Sequence, residues 1–440
     1  MQHWTSPVLQ GRPAYSTNTC PVPIPKQSLR SSAMPHSPFL LQLLVILAVS
    51  RLCGLLLGLL KQPTVIGEMA AGIVLGPIVF GALFPAQHAE LFEPHSLSAL
   101  SSLSQLGLVL FMFVVGAELR TPDGARAQLK SASLVGILSV LVPMVLGFFA
   151  SALLHSSLAP AGVGFWPFAL FMAAAMSITA FPVMARILKE RGMTQTPMGR
   201  LSMASAAIAD VLAWIMLAAV VALTGIDGST AIVKTTIGLV VLVAVIFILF
   251  KPLCAWLLRT YVKDGCPGLM MLSVLAGGAI GCAALTQWLG VHAVFGAFLF
   301  GACLPRDDRL LKTLVERLEF PALVLLMPVF FAIAGLSTTT DAFTPTHIGA
   351  LILVILVAVA GKVLGGAAGA RAGGLAWRDS FAVGSLMNAR GLMELIVMKV
   401  GLDAGLIGPE MFTMLLVMAI LTTAMTAPLL SLFSASARLP

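Results

Sequence analysis

Residues 201–224 read LSMASAAIADVLAWIMLAAVVALT, with Asp210 alone among apolar and small residues. A membrane-spanning helix needs roughly 20 such residues in a row. A carboxylate at mid-membrane depth is costly, so its default reading is functional, as part of an ion or proton path. The rest of the chain can be read outward from this helix.

The composition agrees with a membrane solvent. Of 440 residues, 59% are hydrophobic and 10% are charged, against roughly 25% charged in soluble domains. The expected class is an all-α, polytopic membrane protein. Thirteen candidate spans lie near 38–60, 63–83, 99–119, 131–154, 163–188, 200–224, 231–253, 268–288, 290–304, 319–337, 346–370, 380–402 and 410–434. The ninth is short, which suits a tilted helix or one partly merged with its neighbour.

Basic residues test this count. Lys and Arg are absent from the connections after spans 2, 4, 6, 8, 10 and 12. They recur after spans 3, 5, 7, 9 and 11, including Arg126, Lys130, Lys189, Arg191, Lys263, Arg306, Arg309, Lys312, Arg317, Arg371 and Arg378, and Lys61 follows span 1. This alternation is the positive-inside pattern, with the N-terminus outside and the C-terminus in the cytoplasm. The formal charge of +8 is therefore loop bias, and no nucleic-acid partner is expected. Residues 1–37 are rich in Ser, Pro and Thr, lack an apolar signal region and read as a disordered tail. Arg12, Lys26 and Arg30 there run against the charge rule, and a start at Met34 would remove all three. The cysteines Cys20, Cys53, Cys254, Cys266, Cys282 and Cys303 have no paired spacing and read as packing residues.

Few charges fall inside spans away from their cytoplasmic or outer ends, among them Arg51, Glu68, Glu118, Asp210, Lys234, Lys362, Arg390, Glu394 and Lys399. Two spans also carry helix-breaking chemistry. The fifth contains Ser177-Ile178-Thr179-Ala180-Phe181-Pro182, where Pro182 has no N–H and should free the carbonyl of residue 178. The twelfth contains Asn388-Ala389-Arg390-Gly391. The two are seven spans apart and hence oppositely oriented. Broken helices at matching places of two inverted halves point to a secondary-transporter binding site. Spans 1–6 and 8–13 would be the repeats, with span 7 as linker. Facing half-helix ends need compensating charge. Arg390 can offset C-terminal carbonyls, and Asp or Glu can offset N-termini. Arg390 and Glu394 fit a structural i,i+4 pair, with direct contact to a transported ion as the alternative. Gly361-x-x-x-Gly365 and Gly277-x-x-x-Gly281 have the spacing that lets membrane helices approach closely. His292 reads as a packing histidine, or alternatively as a pH sensor. No nucleotide-binding glycine motif or metal-binding histidine pair occurs, so neither a cofactor nor an enzymatic activity is expected.

Seven stretches occur in order: Gln62-Pro63-Thr64-Val65-Ile66-Gly67-Glu68 through Gly76-Pro77, Gly107 through Glu118, Thr179-Ala180-x-Pro182, the Asp210 helix, His292 to Pro305, Pro328 to Leu336, and Leu386-Met387-Asn388-Ala389-Arg390-Gly391-Leu392-Met393-Glu394-Leu395. Together they resemble the second family of the monovalent cation/proton antiporter superfamily. That family includes Kef-type potassium efflux systems, NapA-type Na⁺/H⁺ antiporters and the plant cation/H⁺ exchangers, whose version the last stretch resembles most. The similarity runs from about residue 40 to 434. It implies a NapA-like fold with crossed broken helices and a homodimer in membrane lipid. The moving core would be about 128–224 and 346–434. The dimer scaffold would be about 38–121 and 268–337, the linker helix about 231–253, and 435–440 a short tail.

The candidate cation- and proton-binding residues are Asp210, Ser177, Thr179, Ala180 and Asn388, with Asp210 and Thr179 as ligands of a transported Na⁺ or K⁺. Lys362, Arg390 and Glu394 form the candidate charge network. Electrogenic members of the family resemble one another in having two adjacent aspartates, and here the first is Ala209. The expectation is electroneutral exchange of one proton per monovalent cation. Lys362 then lacks its usual partner and either pairs with Asp210 or stays near the helix ends. Kef-type members carry a nucleotide-binding domain after the last span. This chain stops at Pro440, which leaves room for a separate regulatory subunit.

The expected chemistry is competition for one carboxylate. Burial disfavours the ionised form of Asp210, and a nearby cation such as Lys362 favours it. Protonated, it can cross; ionised, it binds a cation with help from Thr179, carbonyls near Thr179 and Ala180, and water. The leading function is a cation/proton antiporter of elevator type, multi-pass in a bacterial inner membrane. The alternatives are a channel-like or gated K⁺ conduit and a non-transporting membrane sensor.

Overall fold

The computed structural model describes residues 38–60, 62–93, 96–118, 126–194, 196–224, 228–261, 268–289, 293–305 and 307–433. The tail 1–37, residues 435–440, His292, Cys20, Cys266, Lys61, Lys263 and Arg306 lie outside these, as do the side chains of Arg126, Pro182, Lys189 and Lys234.

The described chain is helical, with no strand among the described residues. In order it runs α1 (Phe39–Leu59), α2 (Thr64–Leu75), α3 (Pro85–Leu91), α4 (Leu97–Glu118), α5 (Arg126–Leu158), α6 (Phe165–Ser177), α7 (Phe181–Glu190), α8 (Pro197–Thr224), α9 (Gly228–Val245) and α10 (Lys251–Tyr261). It continues with α11 (Leu269–Trp288), α12 (Ala293–Ala302), α13 (Asp308–Leu314), α14 (Met327–Leu336), α15 (Ile348–Ala372), α16 (Trp377–Met387), α17 (Leu392–Asp403) and α18 (Pro409–Phe433). Several consecutive helices join into single rods, so that every expected span has a helical counterpart. Among the described residues, nine helical runs are long and apolar enough to cross a membrane, and Phe165–Ser177 and Ala293–Ala302 are shorter apolar helices.

π-helical turns at Pro77–Gly81, Ile246–Phe250, Val315–Glu319 and Ala322–Leu326 join the rods. Each contains a proline or lies within two residues of one: Pro77, Pro252, Pro321 and Pro328. A proline removes an N–H donor from the helix ladder, and a π turn re-registers the remaining bonds.

The packing obeys the seven-span shift. The α5–α6 contact recurs as α15–α16, α5–α8 as α15–α18, α6–α8 as α16–α18, and α1–α2 as α11–α12. The α4–α12 contact exchanges with α14–α2, while α5 and α15 pack on each other. Two inverted repeats with one intervening rod produce this pattern.

Glycines set the closest crossings. A Cβ at Gly361 would meet Pro143 at 2.7 Å, one at Gly365 would meet the Leu138 carbonyl oxygen at 2.5 Å, and one at Gly369 would meet Val135 Cα at 2.5 Å. The expected Gly361–Gly365 spacing thus extends one turn further and seats α15 on α5. The Gly277–Gly281 spacing behaves differently. No atom lies within 4 Å of a Cβ at either position, because α11 buries the face carrying Leu275, Ala279 and Cys282 instead. Close helix approach at this pair within the chain is therefore corrected.

In α14, a Cβ at Gly335 would lie 1.9 Å from the Gly72 carbonyl oxygen of α2. Backbone cannot yield as a flexible side chain can. Gly335→Ala is expected to lose at least about 1–3 kcal/mol of stability and Gly349→Ala, which meets open space, essentially none. Thermal unfolding of the two variants in detergent checks this, with equal midpoints counting against the crossing.

Cys254, Cys282 and Cys303 are buried. The thiols of Cys254 on α10 and Cys303 after α12 share a hydrogen bond, a juxtaposition that their spacing in the sequence does not reveal.

Candidate functional site

The two breaks meet. Helix α6 stops at Ser177 and Ile178 turns extended, with φ −70° and ψ 140°. Helix α7 resumes at Phe181. Pro182 is thus the second residue of a new helix, where a missing N–H costs nothing, and it does not act from within a continuous one. The second break spans Asn388 to Gly391, between α16 and α17. The Ala180 N–H donates to the Ala389 carbonyl at 3.1 Å, which ties one unwound segment to the other. At Gly391 a Cβ would press on Val183 Cγ2 at 2.7 Å, so a side chain there would push α7 away.

Three of the four half-helix ends at the crossing, those of α6, α7 and α17, meet a complementary group. At the C-terminus of α6, Arg390 Nη1 donates to the Ala175 carbonyl at 3.3 Å and Nη2 to the Met176 carbonyl at 2.7 Å. Lys362 Nζ donates to the Ser177 carbonyl and, at 2.6 Å, to Thr179 Oγ1. Two cations from the second repeat therefore sit on the negative end of a half-helix from the first. At the N-terminus of α7, the Phe181 N–H bonds the Asp210 carboxylate. Glu394, in the first turn of α17, pairs with Arg390 at 2.5 Å, and neither side chain has any exposure.

The carboxylate of Asp210 is buried, 3% exposed. One of its oxygens, Oδ1, has no hydrogen-bond partner among the described residues, and the same holds for Asn388 Oδ1 and Glu394 Oε2. Lys362 acts on Asp210 through its charge, while its bonds go to the helix end. Of the two placements expected for Lys362, the one near the helix ends is observed. An unpaired acceptor at this depth is costly, which is what a site for a cation or proton would look like.

Other site residues are placed differently from their expected roles. Ser177 contributes its carbonyl to Lys362, while its hydroxyl turns back to the Ala174 carbonyl at 2.7 Å. The Ala180 carbonyl, expected as a free ligand, is taken by the Met184 N–H at 3.0 Å, because α7 begins immediately after it. Asn388 turns its amide nitrogen to the Thr422 carbonyl of α18 at 2.9 Å. Sequence reasoning passed over Thr423, whose hydroxyl reaches the backbone of Arg390. The run Thr422, Thr423, Thr426 in an otherwise apolar span was the available signal. Among the described residues, no cluster of His, Cys, Asp and Glu suits a resident metal ion.

Residues 44–432 match the family described as sodium/hydrogen exchanger, transmembrane. The chain belongs to this family. As an exchanger-family chain it is 40% identical to the Na⁺/H⁺ antiporter NhaS4 of Synechocystis, over 89% of its own length and 95% of that protein's. It is 34% identical to cation/H⁺ antiporter 19 of Arabidopsis thaliana over 96% of its length, and 33% identical to K⁺/H⁺ antiporter 1 of Saccharomyces cerevisiae over 91%. It spans about half of these last two proteins, 53% and 47%. The fold is similar to that of the sodium proton antiporter MjNhaP1 from Methanocaldococcus jannaschii, with a TM-score of 0.63 at 15% identity over 88% of this chain and 94% of that one.

Proposed function

We infer that this protein exchanges a monovalent cation, Na⁺ or K⁺, for protons across the membrane, with Asp210 as the shared site. The carrying observation is the buried Asp210 carboxylate with one oxygen held by the α7 N-terminus and the other unpartnered. Its Na⁺/H⁺, cation/H⁺ and K⁺/H⁺ antiporter relatives support the same reading.

The mechanism follows from the cost of buried charge. A protonated Asp210 is neutral and can pass the barrier. An ionised one passes when a cation neutralises it, with Thr179, Asn388 Oδ1 and water as further oxygens. The bare carboxylate stays on its own side, so movement is coupled to exchange. Lys362 and Arg390 hold the α6 end, Glu394 balances Arg390, and the crossing keeps its shape through the cycle. The core helices α5–α8 and α15–α18 move as one body against α1–α4 and α11–α14, with the rod of α9 and α10 as linker. The packing within each set supports this elevator division, and the scaffold set would carry a homodimer interface. The N-terminus would face outward in a bacterial inner membrane.

Exchange should be electroneutral. Ala209 supplies no second carboxylate, and Lys362 spends its hydrogen bonds on the Ser177 carbonyl and the Thr179 hydroxyl at the α6 end. In proteoliposomes with a pH dye inside, Na⁺, K⁺, Li⁺ and Rb⁺ are added in turn outside, with a membrane potential of either sign imposed by an ionophore that does not carry the substrate. Proton flux should follow the cation gradient and ignore the potential. Net cation movement driven by potential alone, abolished by Lys362→Gln, would make Lys362 a second proton carrier. Wild-type vesicles without cation-dependent proton flux would sink the transporter reading.

A further inference from the structure

The two repeats hold their breaks by the same device. In the first repeat, the last core helix α8 places Asp210 on the backbone of Phe181, at the start of α7. In the second, the matching helix α18 places Thr423 on the backbone of Arg390. The Arg390 N–H donates to Thr423 Oγ1 at 2.9 Å, and the hydroxyl faces the Arg390 carbonyl at 2.8 Å and the Ala419 carbonyl at 2.8 Å. A hydroxyl has one proton, so these two carbonyls share it. Thr423 has no exposure, and water cannot easily take its place.

What Thr423 grips lies next to the crossing. Arg390 directly follows Ala389, whose carbonyl accepts from the Ala180 N–H at 3.1 Å. The side chain of the same Arg390 caps the Ala175 and Met176 carbonyls. One hydroxyl on α18 therefore sets the backbone from which the guanidinium reaches across to the other repeat. The neighbouring hydroxyls do not share this connection. Thr422 Oγ1 returns to Met418 and Ala419, and Thr426 Oγ1 returns to the Thr422 carbonyl, all within α18.

We propose that Thr423 is a positioning residue of the cation/proton site: by clamping the Arg390 backbone it fixes the α6 end and the Ala180–Ala389 crossing, beside the Phe181 N–H that holds Asp210. The proposal rests on the exchange function inferred above. Thr423 touches neither cation nor proton and acts through Arg390.

Three variants test it in the same proteoliposomes: Thr423→Val, Thr423→Ser and Thr426→Val. Thr423→Val should raise the cation concentration for half-maximal exchange about tenfold, the scale on which lost supporting bonds weaken ion sites. It should also displace the pH at half-maximal rate. Thr423→Ser keeps the hydroxyl and should restore both. Thr426→Val removes an equally buried hydroxyl of the same helix and should leave both within about twofold of wild type, below the loss expected for a supporting bond. Cation-dependent thermal stabilisation of the purified protein, read without transport, should fall in Thr423→Val and survive in the other two. If Thr423→Val does not fold, Thr423→Ala, which also lacks the hydroxyl and adds no second methyl group, is read instead with the same expected losses.

A wild-type affinity and pH profile in Thr423→Val would overturn the assignment, as would equal losses in Thr426→Val. Failure of both Val and Ala to fold, with Ser fully active, would make Thr423 a folding residue only. Each of these results leaves wild-type exchange intact, whereas absence of wild-type exchange would instead overturn the function on which the proposal rests.

Discussion

Asp210→Asn is expected to reduce cation-dependent proton flux to that of empty vesicles, in a protein that folds at least as well as wild type. The amide keeps the carboxylate's shape and can still accept the Phe181 N–H through its oxygen. It loses the two properties exchange requires, a proton that can leave and a charge that can hold a cation. Stability should be unchanged or higher, because the wild-type carboxylate is buried with Oδ1 unpartnered among the described residues, and an uncharged group is cheaper there. The measurement pairs flux with thermal unfolding of the same preparation. Near wild-type exchange by a folded Asp210→Asn would remove this residue from the mechanism. A folded variant with no flux and no cation-induced stabilisation would place binding and transport on one side chain.

Arg390→Ala should produce the largest loss of folded protein. Arg390 has no exposure and holds Glu394 at 2.5 Å, Met176 at 2.7 Å and Ala175 at 3.3 Å. Its removal strands a carboxylate and two carbonyls in the interior. Breaking a buried ion pair from one side costs about 3–5 kcal/mol, chiefly through the abandoned partner. The double variant Arg390→Ala with Glu394→Ala should therefore be more stable than Arg390→Ala alone, although short of wild type because the α6 carbonyls stay uncapped. Thermal unfolding in detergent, with flux as the second reading, orders the three proteins. A double variant less stable than the single one would mean that Glu394 is supported by groups other than Arg390.

Hydrophobic runs and their breaks were legible in the sequence because they are local. Each span is selected residue by residue by its transfer into lipid, so a window over the chain recovers it. Pro182 and the Asn388–Gly391 interruption marked the places where a helix cannot continue, and the odd count between them required opposite directions. Asp210 stood out for the same reason, as a charge in an apolar run. Where the local reading went astray, the cause was the neighbourhood of a turn. Along the chain the Ala180 carbonyl looks free, although a helix starting at Phe181 engages it through the Met184 N–H.

Charge partners were not legible in this way. Lys362 meets Ser177 and Thr179, and Arg390 meets Ala175 and Met176, across most of the length of a repeat and its linker. No periodicity along the chain encodes which of several buried cations reaches which helix end. That choice follows from the α5–α15 glycine seam and the crossing at Ala180 and Ala389, which exist only once both repeats have packed. The grip of Thr423 on the Arg390 backbone has the same origin. By itself the sequence determined a polytopic helical protein with two inverted, interrupted spans and one isolated carboxylate, because lipid solvation and helix breaking act on neighbours along the chain. Only the tertiary structure decided that the Lys362 ammonium caps a helix end, that Ser177 works through its carbonyl, and that Asp210 keeps an oxygen unpartnered among the described residues. Those outcomes depend on distances between groups far apart in sequence, and these are set by packing.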